Sequence, residues 1–463
     1  MIERLPPEDA RILALESGSV VGHTCKVLIA EGGGETVQRL RRQIQDRIGL
    51  ARRCRRRIAP TPLRLAAPAW VDDPAFDVSL HVRSVPADGP LERPRLLEIV
   101  AQLMSERLPR DRPLWAIDVV EPLEDGGAAA IWRIHHAMAD GQATMAIGSA
   151  LLWSDFPNPE PPPPPPPTEP VPGAATLAVV AAADHAQALA AAAARVGRGL
   201  VSRGRWRESL AELRRAPATI SRELKPGGSP SPLDARIGRQ RRVAFVDSDL
   251  QQVHATAHAA GAGVTVNDVL LAIVAGGLRD WLEQRHGSLD ALRVQVPVSM
   301  HKSDEEPGAV PNRDSFINVQ LPLQEDEPLR RLHAINEQTA ARKATHDAEE
   351  LYALFSDVAH VSKGLFRLAH RIASNPHVFA LAISNVRGPA GTLYLAGERI
   401  REFYSLAEIA PHHALRVSAG SFGGRMSIGL SADAEAVPDL PVLVEGIQRS
   451  LRELTAAAAA RRP

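Results

Sequence analysis

The stretch Ile131-Trp132-Arg133-Ile134-His135-His136-Ala137-Met138-Ala139-Asp140-Gly141 is the most informative segment of this chain. It continues an apolar run that begins at Ala128, which is typical of a buried strand. Because side chains alternate between the two faces of a strand, Trp132, Ile134 and His136 are predicted to share one face and the residues between them the other. The two histidines therefore have different roles: one faces a channel as a base, and its neighbour packs behind it.

Asp140 and Gly141 complete the pattern after the histidines. We expect Gly141 to adopt a positive φ and turn the chain back toward the strand end, and Asp140 to hold the local backbone or accept a hydrogen bond. A neutral imidazole, with a pKa of about 6.5, can accept a hydroxyl proton at neutral pH and return it to a leaving group. No Gly-x-Ser-x-Gly motif points to a nucleophile supplied by the chain.

A His-His pair alone is more often a surface pair or a packed core pair than a base. The chain supplies its own comparison, because His412-His413 is followed by Ala414-Leu415-Arg416 and lacks the Asp-Gly. We assign no chemistry to that second pair. The attached Asp140-Gly141, the apolar run before the first pair and the helix-like run after it favour a chemical role for His135-His136.

Length and composition limit the remaining possibilities. A chain of 463 residues exceeds what one core usually supports, so two domains are expected. Lys plus Arg equals Asp plus Glu at 54 each, which removes a global attraction to nucleic acid. The charged N-terminus does not resemble a signal peptide, and Cys25 and Cys54 lack metal-ligand spacing, which favours a reduced cytoplasmic protein. Without an apolar stretch of about 18 residues, any membrane contact is expected to be peripheral.

The clearest boundary in the chain is a run of prolines at 161–167, which predicts an extended polyproline rod. A helix-forming alanine-rich segment, an arginine-rich segment and a Pro-Gly-Ser-rich join follow it. We therefore predict an N-terminal domain at 1–157, a connector at 158–232 and a C-terminal domain at 233–463. Strand and helix signals on both sides of the connector predict a mixed α/β (α+β) fold.

Local patterns predict the main elements around the connector. A hairpin is indicated at 124–127, between strands, and a helix over 269–282 has Thr265 or Asn267 as a suitable N-cap. The predicted strands are 115–120, 128–134, 292–298, 316–321, 379–383, 415–418 and 426–430.

The His-His-x-x-x-Asp-Gly pattern resembles the motif of CoA-dependent acyltransferases, which include chloramphenicol acetyltransferases, plant alcohol acyltransferases and peptide-synthetase condensation domains. Further segments, in the same order, resemble the bacterial wax ester synthase/diacylglycerol acyltransferase (WS/DGAT) family. The first, Asp77-Val78-Ser79-Leu80-His81-Val82-Arg83, resembles the family's upstream strand. The others are Pro113-Leu114-Trp115, Asn267-Asp268-Val269-Leu270-Leu271-Ala272, Pro297-Val298-Ser299 and Ser384-Asn385-Val386-x-Gly388-Pro389. The resemblance extends from about Leu5 to Leu454, except for the proline run.

The resemblance implies two chloramphenicol-acetyltransferase-like domains with mixed sheets flanked by helices, and a histidine channel at their interface. It implies a long-chain acyl-CoA as co-substrate and diacylglycerol or a long-chain alcohol as acceptor. His136 would be the general base of a direct attack, with His135, Asp140 and Gly141 around it. Metal and redox cofactors are not expected, and the enzyme would bind the inner face of the membrane or lipid droplets. Substrate-binding positions are implied at Pro113, Leu114, Trp115, Asn267, Asp268, Ser384 and Asn385.

Each substrate-binding position also has a structural alternative. Pro113-Leu114-Trp115 is compatible with a strand start and a core tryptophan, and Asn267-Asp268 with a helix cap. Ser384-Asn385 with Gly388-Pro389 is compatible with a turn after a buried strand.

Three departures from the family pattern leave the acceptor open. Arg387 stands where the family usually has Pro, His301 where it usually has Arg, and Pro311-Asn312 where it usually has Gly-Asn. The alternatives are an acyltransferase acting on another hydroxyl or amine, or a noncatalytic lipid-binding homologue. The arginines of 52–57 and 195–215 are either a site for acidic lipid headgroups or CoA phosphates, or a solvated surface.

Overall fold

The computed structural model describes residues 3–16, 18–61, 67–157, 231–287, 291–299, 314–352 and 375–461, with short pieces between 158 and 230. Two mixed sheets of seven and six strands, flanked by helices, form the body of the described chain. This arrangement confirms the predicted fold class. A small three-stranded sheet adjoins the seven-stranded one.

The strands alternate with helices along most of the described chain. The helices are α1 (Pro7–Leu15), α2 (Thr36–Arg47), α3 (Arg93–Leu103), α4 (Gly141–Leu151), α5 (Leu250–Ala260), α6 (Val266–His286), α7 (Pro328–Ala344) and α8 (Leu440–Ala459). The strands are β1 (Glu3–Arg4), β2 (His23–Ala30), β3 (Arg56–Ala59), β4 (Ala69–Asp72), β5 (Val82–Ser84), β6 (Trp115–Val120), β7 (Ala128–His135), β8 (Trp153–Ser154), β9 (Arg241–Asp249), β10 (Leu292–Ser299), β11 (Asp314–Leu321), β12 (Leu381–Arg387), β13 (Tyr394–Leu395), β14 (Glu398–Leu406), β15 (Leu415–Phe422) and β16 (Arg425–Asp433).

The seven-stranded sheet has the order β5-β6-β7-β2-β14-β13-β8. β6 and β7 form the predicted hairpin, and β7 then pairs antiparallel with β2, which sets His135 opposite His23. Helix α3 packs on the face that carries Ile29 and Ile131. Helices α2 and α4 pack on the other face, which carries Trp132 and Ile134. The central strands are therefore buried on both sides, as the continuous apolar run predicts.

Two strands of this sheet come from the C-terminal half of the chain. β14 pairs antiparallel with β2, setting Tyr404 opposite Val27, and β13 connects β14 to β8. The boundaries proposed at 157/158 and 232/233 remain predictions along the chain. In space, the segment 394–406 completes the sheet of the first half.

The six-stranded sheet has the order β11-β10-β12-β15-β16-β9 and is covered by α6 and α8. Helix α6 is longer than the predicted 269–282 because Thr265 caps its N-terminus and accepts the Asp268 N–H. Its residues from Val269 to Ala275 are all nearly inaccessible to solvent. A helix that is apolar on every side is expected to lie inside a core.

Two local predictions are wrong. The segment 77–83 is not one strand: Asp77 accepts the Ser79 N–H at 2.8 Å, and this side-chain turn produces a short 3-10 helix before β5. Ser384-Asn385 is not a turn, because parallel pairing with β15 keeps β12 extended as far as Arg387.

Most of the predicted connector lies outside the described residues. The same holds for nearly all of the proline run, the arginines of 195–215, His301 and Pro311-Asn312. In the part of the chain that the structure does describe, no helix has the length and apolar character needed to cross a bilayer.

The contact between β14 and β16 gives a stability prediction. A β-carbon on Gly429 would overlap the carbonyl oxygen of Ser405, a backbone atom that cannot move without disturbing β14. We expect Gly429→Ala to lower the free energy of unfolding by about 1–3 kcal/mol through overpacking, measured by urea denaturation. Gly391→Ala is the control, because a β-carbon there meets nothing within 4 Å. Equal stability of the two variants would contradict the close packing of β16 on β14.

Candidate active site

His135 ends β7 and is buried, with 1% of its surface exposed. Its Nδ1 accepts the N–H of Ala137 at 3.0 Å, which fixes the ring against the turn that follows. Burial, with smaller contributions from the neighbouring His136 and Arg110, lowers the pKa of His135 to about 3. His135 is therefore neutral at neutral pH and is held as part of the protein interior.

His136 lies immediately beyond β7 and differs from its neighbours in exposure. Between Ala128 and Asp140 it is the one partly exposed residue, and every other residue is buried. Its backbone N–H donates to the Gly22 carbonyl at 2.9 Å, which ties the turn to the start of β2. The structure thus fixes the backbone of His136 while leaving the residue accessible.

Gly22 supports both histidines and was missed by the sequence analysis. It has a φ of 74°, and a β-carbon at this position would collide with Nε2 of His135. Glycine is required here for its backbone angle and for the close approach of the ring. The only signal in the sequence was a glycine immediately before a strand, whose meaning depends on the pairing of β2 with β7.

Asp140 is the N-cap of α4. Its buried carboxylate accepts the Ala143 N–H at 2.8 Å, and its carbonyl accepts the Thr144 N–H at 2.9 Å. Gly141 begins the helix and is not among the residues with positive φ, so the predicted left-handed turn is wrong. The glycine allows close approach instead: a β-carbon on Gly141 would lie 3.0 Å from Cγ2 of Val386.

Val386 belongs to the Ser384–Pro389 motif, so this contact brings the two motifs together. Ser384 is half-buried, with its Oγ 3.4 Å from Oγ of Ser418, and Asn385 is exposed. A β-carbon on Gly388 would lie 3.7 Å from Cε of Met145 in α4. The histidine motif therefore lies against the C-terminal sheet, where β12 ends.

Pro113-Leu114-Trp115 supports the histidines from the other neighbouring strand. The Leu114 carbonyl accepts the His135 N–H at 2.9 Å. The buried Trp115 donates from Nε1 to the Cys54 carbonyl at 2.7 Å, and the His81 ring stacks on it with centroids 4.3 Å apart. These contacts fit the structural alternative for this segment.

Asp268 is fully buried and links α6 to α7. Its carboxylate accepts the Thr265 N–H at 2.8 Å, the Asn336 amide at 3.0 Å and the Thr339 hydroxyl at 2.6 Å. Asn267 is half-buried, and Thr265 is the N-cap. The Asp268 contacts all lie within the C-terminal half, which fits a structural role.

The arginine cluster at 52–57 is largely paired with acidic side chains. Arg53 and Arg56 bind Glu3, and Arg55 and Arg56 contact Asp72 at 3.4 Å and 2.8 Å. Arg55 and Arg56 are also buried. Most of these arginines form ion pairs around the small three-stranded sheet, and this weakens their interpretation as a phosphate or lipid site.

The two cysteines are buried and remote from nucleophilic chemistry. Burial raises the pKa of the Cys25 and Cys54 thiols to about 12 each. At neutral pH both are protonated, and a protonated thiol is a poor nucleophile.

Sequence models of one family match both halves of the chain. The wax ester synthase/diacylglycerol acyltransferase catalytic domain matches residues 5–270, and the WS/DGAT C-terminal domain matches residues 311–455.

Individual proteins agree with these family models. A Mycobacterium tuberculosis protein whose name proposes that it is a diacylglycerol O-acyltransferase is 33% identical, over 99% of this chain and 98% of its own. Another from the same organism, with the same proposed activity, is 31% identical over 99% of this chain and 97% of its own.

Solved structures show the same fold at lower identity. The wax ester synthase/diacylglycerol acyltransferase from Marinobacter aquaeolei VT8 matches with a TM-score of 0.69 at 23% identity, covering 99% of this chain and 100% of that one. The first condensation domain of the calcium-dependent antibiotic synthetase matches with a TM-score of 0.61 at 16% identity, covering 99% and 97%. From the family models and the relatives, the chain belongs to the wax ester synthase/diacylglycerol acyltransferase family.

Proposed function

We propose that this protein transfers a long-chain fatty acyl group from acyl-CoA to the hydroxyl of diacylglycerol, and to that of long-chain alcohols, with His136 as general base. The observation that carries the proposal is the exposure of His136 alone within an otherwise buried segment, beside the contact of Gly141 with Val386. The names of the mycobacterial relatives support diacylglycerol as acceptor, and the Marinobacter match supports a related fold.

The proposed reaction is one direct transfer. The imidazole of His136 takes the proton of the acceptor hydroxyl while the hydroxyl oxygen attacks the thioester carbonyl. The tetrahedral intermediate then collapses, the carbon–sulfur bond breaks, and the proton passes from the imidazole to the departing CoA thiolate. The thioester is already activated, so the reaction needs no covalent enzyme intermediate, metal or redox cofactor.

The surrounding residues position the base. The Gly22 carbonyl binds the backbone N–H of His136, and the Leu114 carbonyl binds that of His135. Asp140 anchors the start of α4 four residues later. Fixing the imidazole before the substrates bind lowers the entropic cost of reaching a reactive geometry.

The base assignment predicts the effect of removing the imidazole. We expect His136→Ala to lower kcat by about 10²- to 10⁴-fold, the usual contribution of a general base, without unfolding the protein. Turnover is measured with labelled palmitoyl-CoA and diacylglycerol or hexadecanol, and folding by circular dichroism.

The second histidine pair provides the control for this variant. His412 is exposed and has a φ of 62°, an angle that asparagine tolerates, so His412→Asn should leave turnover unchanged. A folded His136→Ala protein with normal turnover would reject the general-base role and favour a noncatalytic lipid-binding protein.

The capping role of Asp140 predicts that its substitution affects both stability and the position of the base. Asp140→Ala removes the cap of α4 and should cost about 1 kcal/mol of stability. Because α4 follows the histidine turn, we also expect turnover to fall by up to about 10²-fold. Asp140→Asn, which keeps a capping oxygen, should retain most of both properties, measured by urea denaturation and the acyl transfer assay.

Asp249 is the matched control, because it caps α5 in the C-terminal half. Asp249→Ala should lose similar stability but keep wild-type turnover. If Asp140→Ala and Asp249→Ala have the same turnover, Asp140 does not position the base.

We also propose that the protein works in the cytoplasm and binds reversibly to the inner face of the membrane or to lipid droplets, because its acceptors reside there. We expect it to pellet with anionic liposomes at low salt and to be released at high salt, since screening weakens contacts between surface charges. Sedimentation with and without liposomes measures this. A protein that stays in the supernatant at low salt would contradict surface association.

A further inference from the structure

Thr24 and Lys26 of β2 share one face of the sheet with the strand that leads to His136. Thr24 lies directly opposite Ile134, and Lys26 directly opposite Trp132. Alternation continued one step beyond β7 places His136 on this same face. With a strand rise of about 3.3 Å per residue, Thr24 lies ~7 Å and Lys26 ~13 Å along β2 from Gly22, whose carbonyl binds His136.

Lys26 is a lysine buried inside the sheet, where charged side chains are rarely found. Only 3% of its surface is exposed, and its ammonium donates to the Ser405 hydroxyl of β14. Within the described ranges, no carboxylate forms an ion pair with it. An ammonium carries three donors, and burying a charge without a counter-ion is costly. Burial accordingly lowers the pKa of the Lys26 amine to about 8.

Thr24 is the second donor on this face. The residue as a whole is the one partly exposed member of β2, but its Oγ1 atom is buried and has no hydrogen-bond partner in the described structure. Buried hydroxyls are normally satisfied, so an unpartnered one between His136 and Lys26 indicates a position for a ligand oxygen.

The side chains around these donors are apolar and belong to the buried cluster on the face covered by α2 and α4, which Phe422 of β15 also joins. Phe403 lies two residues from Ser405 and stacks on Phe422 of β15 with centroids 5.7 Å apart. Trp132, opposite Lys26, is buried in the same cluster. Such walls suit hydrocarbon chains, whereas the two donors require oxygen acceptors.

We propose that Thr24 and Lys26 form a subsite that donates hydrogen bonds to the ester carbonyl oxygens of the acyl acceptor, and that this subsite selects diacylglycerol over unsubstituted long-chain alcohols. The inference rests on the proposed acyl transfer at His136. Diacylglycerol carries esters on the two glycerol carbons beside its hydroxyl-bearing end. A fatty alcohol has only methylene groups there and would leave both donors unpaired, which costs binding energy.

The test is an acceptor ratio. For wild type and Lys26→Met, kcat/KM is measured for diacylglycerol and for hexadecanol, each with palmitoyl-CoA. Methionine has a similar length without donors, and because burying a charge without a counter-ion is itself costly, we expect the variant to fold. We expect the diacylglycerol-to-hexadecanol ratio to fall about tenfold, in line with the loss of one charged hydrogen bond.

Further variants define the result. Lys26→Gln keeps a donor without the charge and should lower the ratio less, and Thr24→Val should lower it about threefold through loss of a neutral hydrogen bond. Lys343→Met, at an exposed lysine of α7, is the control and should leave the ratio unchanged. If Lys26→Met does not fold, Lys26→Gln and Thr24→Val decide the question by the same ratio.

Comparing the two acceptors distinguishes two sources of the ligand oxygen, the acceptor and the acyl-CoA. Acyl-CoA is common to both assays. If Thr24 and Lys26 bound carbonyl groups of acyl-CoA, replacing them would lower both rates equally and leave the ratio at its wild-type value. That result would overturn the acceptor subsite. A wild-type protein that acylates neither acceptor would overturn the acyl transfer itself and, with it, this inference.

Discussion

The pairing of β14 with β2 is the interaction on which the rest of the structure depends. Among the strands that the structure describes, only β2 pairs with both β7, which ends in the histidines, and β14, which the C-terminal half supplies. Gly429 of β16 then approaches the Ser405 carbonyl so closely that no side chain fits between them. Through these contacts the C-terminal sheet is held against the histidine segment, where Val386 meets Gly141.

Burial assigns different properties to two adjacent histidines. His135 is buried, neutral and bonded to the backbone of the turn, whereas His136 retains exposure at the next position. Position explains the difference, because His135 is the last residue of β7, whose two faces are both buried, whereas His136 is the first residue beyond it. The backbone N–H groups of His135 and His136 are held by the carbonyls of Leu114 and Gly22. The rigid partner therefore orients the residue to which we assign the chemistry.

Local sequence patterns predicted the strands and helices, whereas pairing between distant segments determined which residues lie beside the histidines. β6 was predicted with its observed ends and β7 to within one residue, because apolar runs and a Glu-Asp-Gly-Gly turn are local features. The prediction of a turn at Ser384-Asn385 was wrong. The nearby Gly-Pro indicated the end of a strand, whereas parallel pairing with β15 keeps the segment extended. The roles of Gly22 and Lys26 depend on the residues that β7 and β14 place beside them. No single segment of sequence could therefore identify these roles.

Chemical modification of the histidines tests the central claim most directly. Limited treatment with diethyl pyrocarbonate, followed by peptide mass spectrometry, measures which rings are accessible in the folded protein. We expect His136 to be modified, palmitoyl-CoA to protect it, activity to be lost in proportion to its modification, and buried His135 to stay unmodified. Modification of His135 in preference to His136, or full activity after His136 is modified, would contradict it.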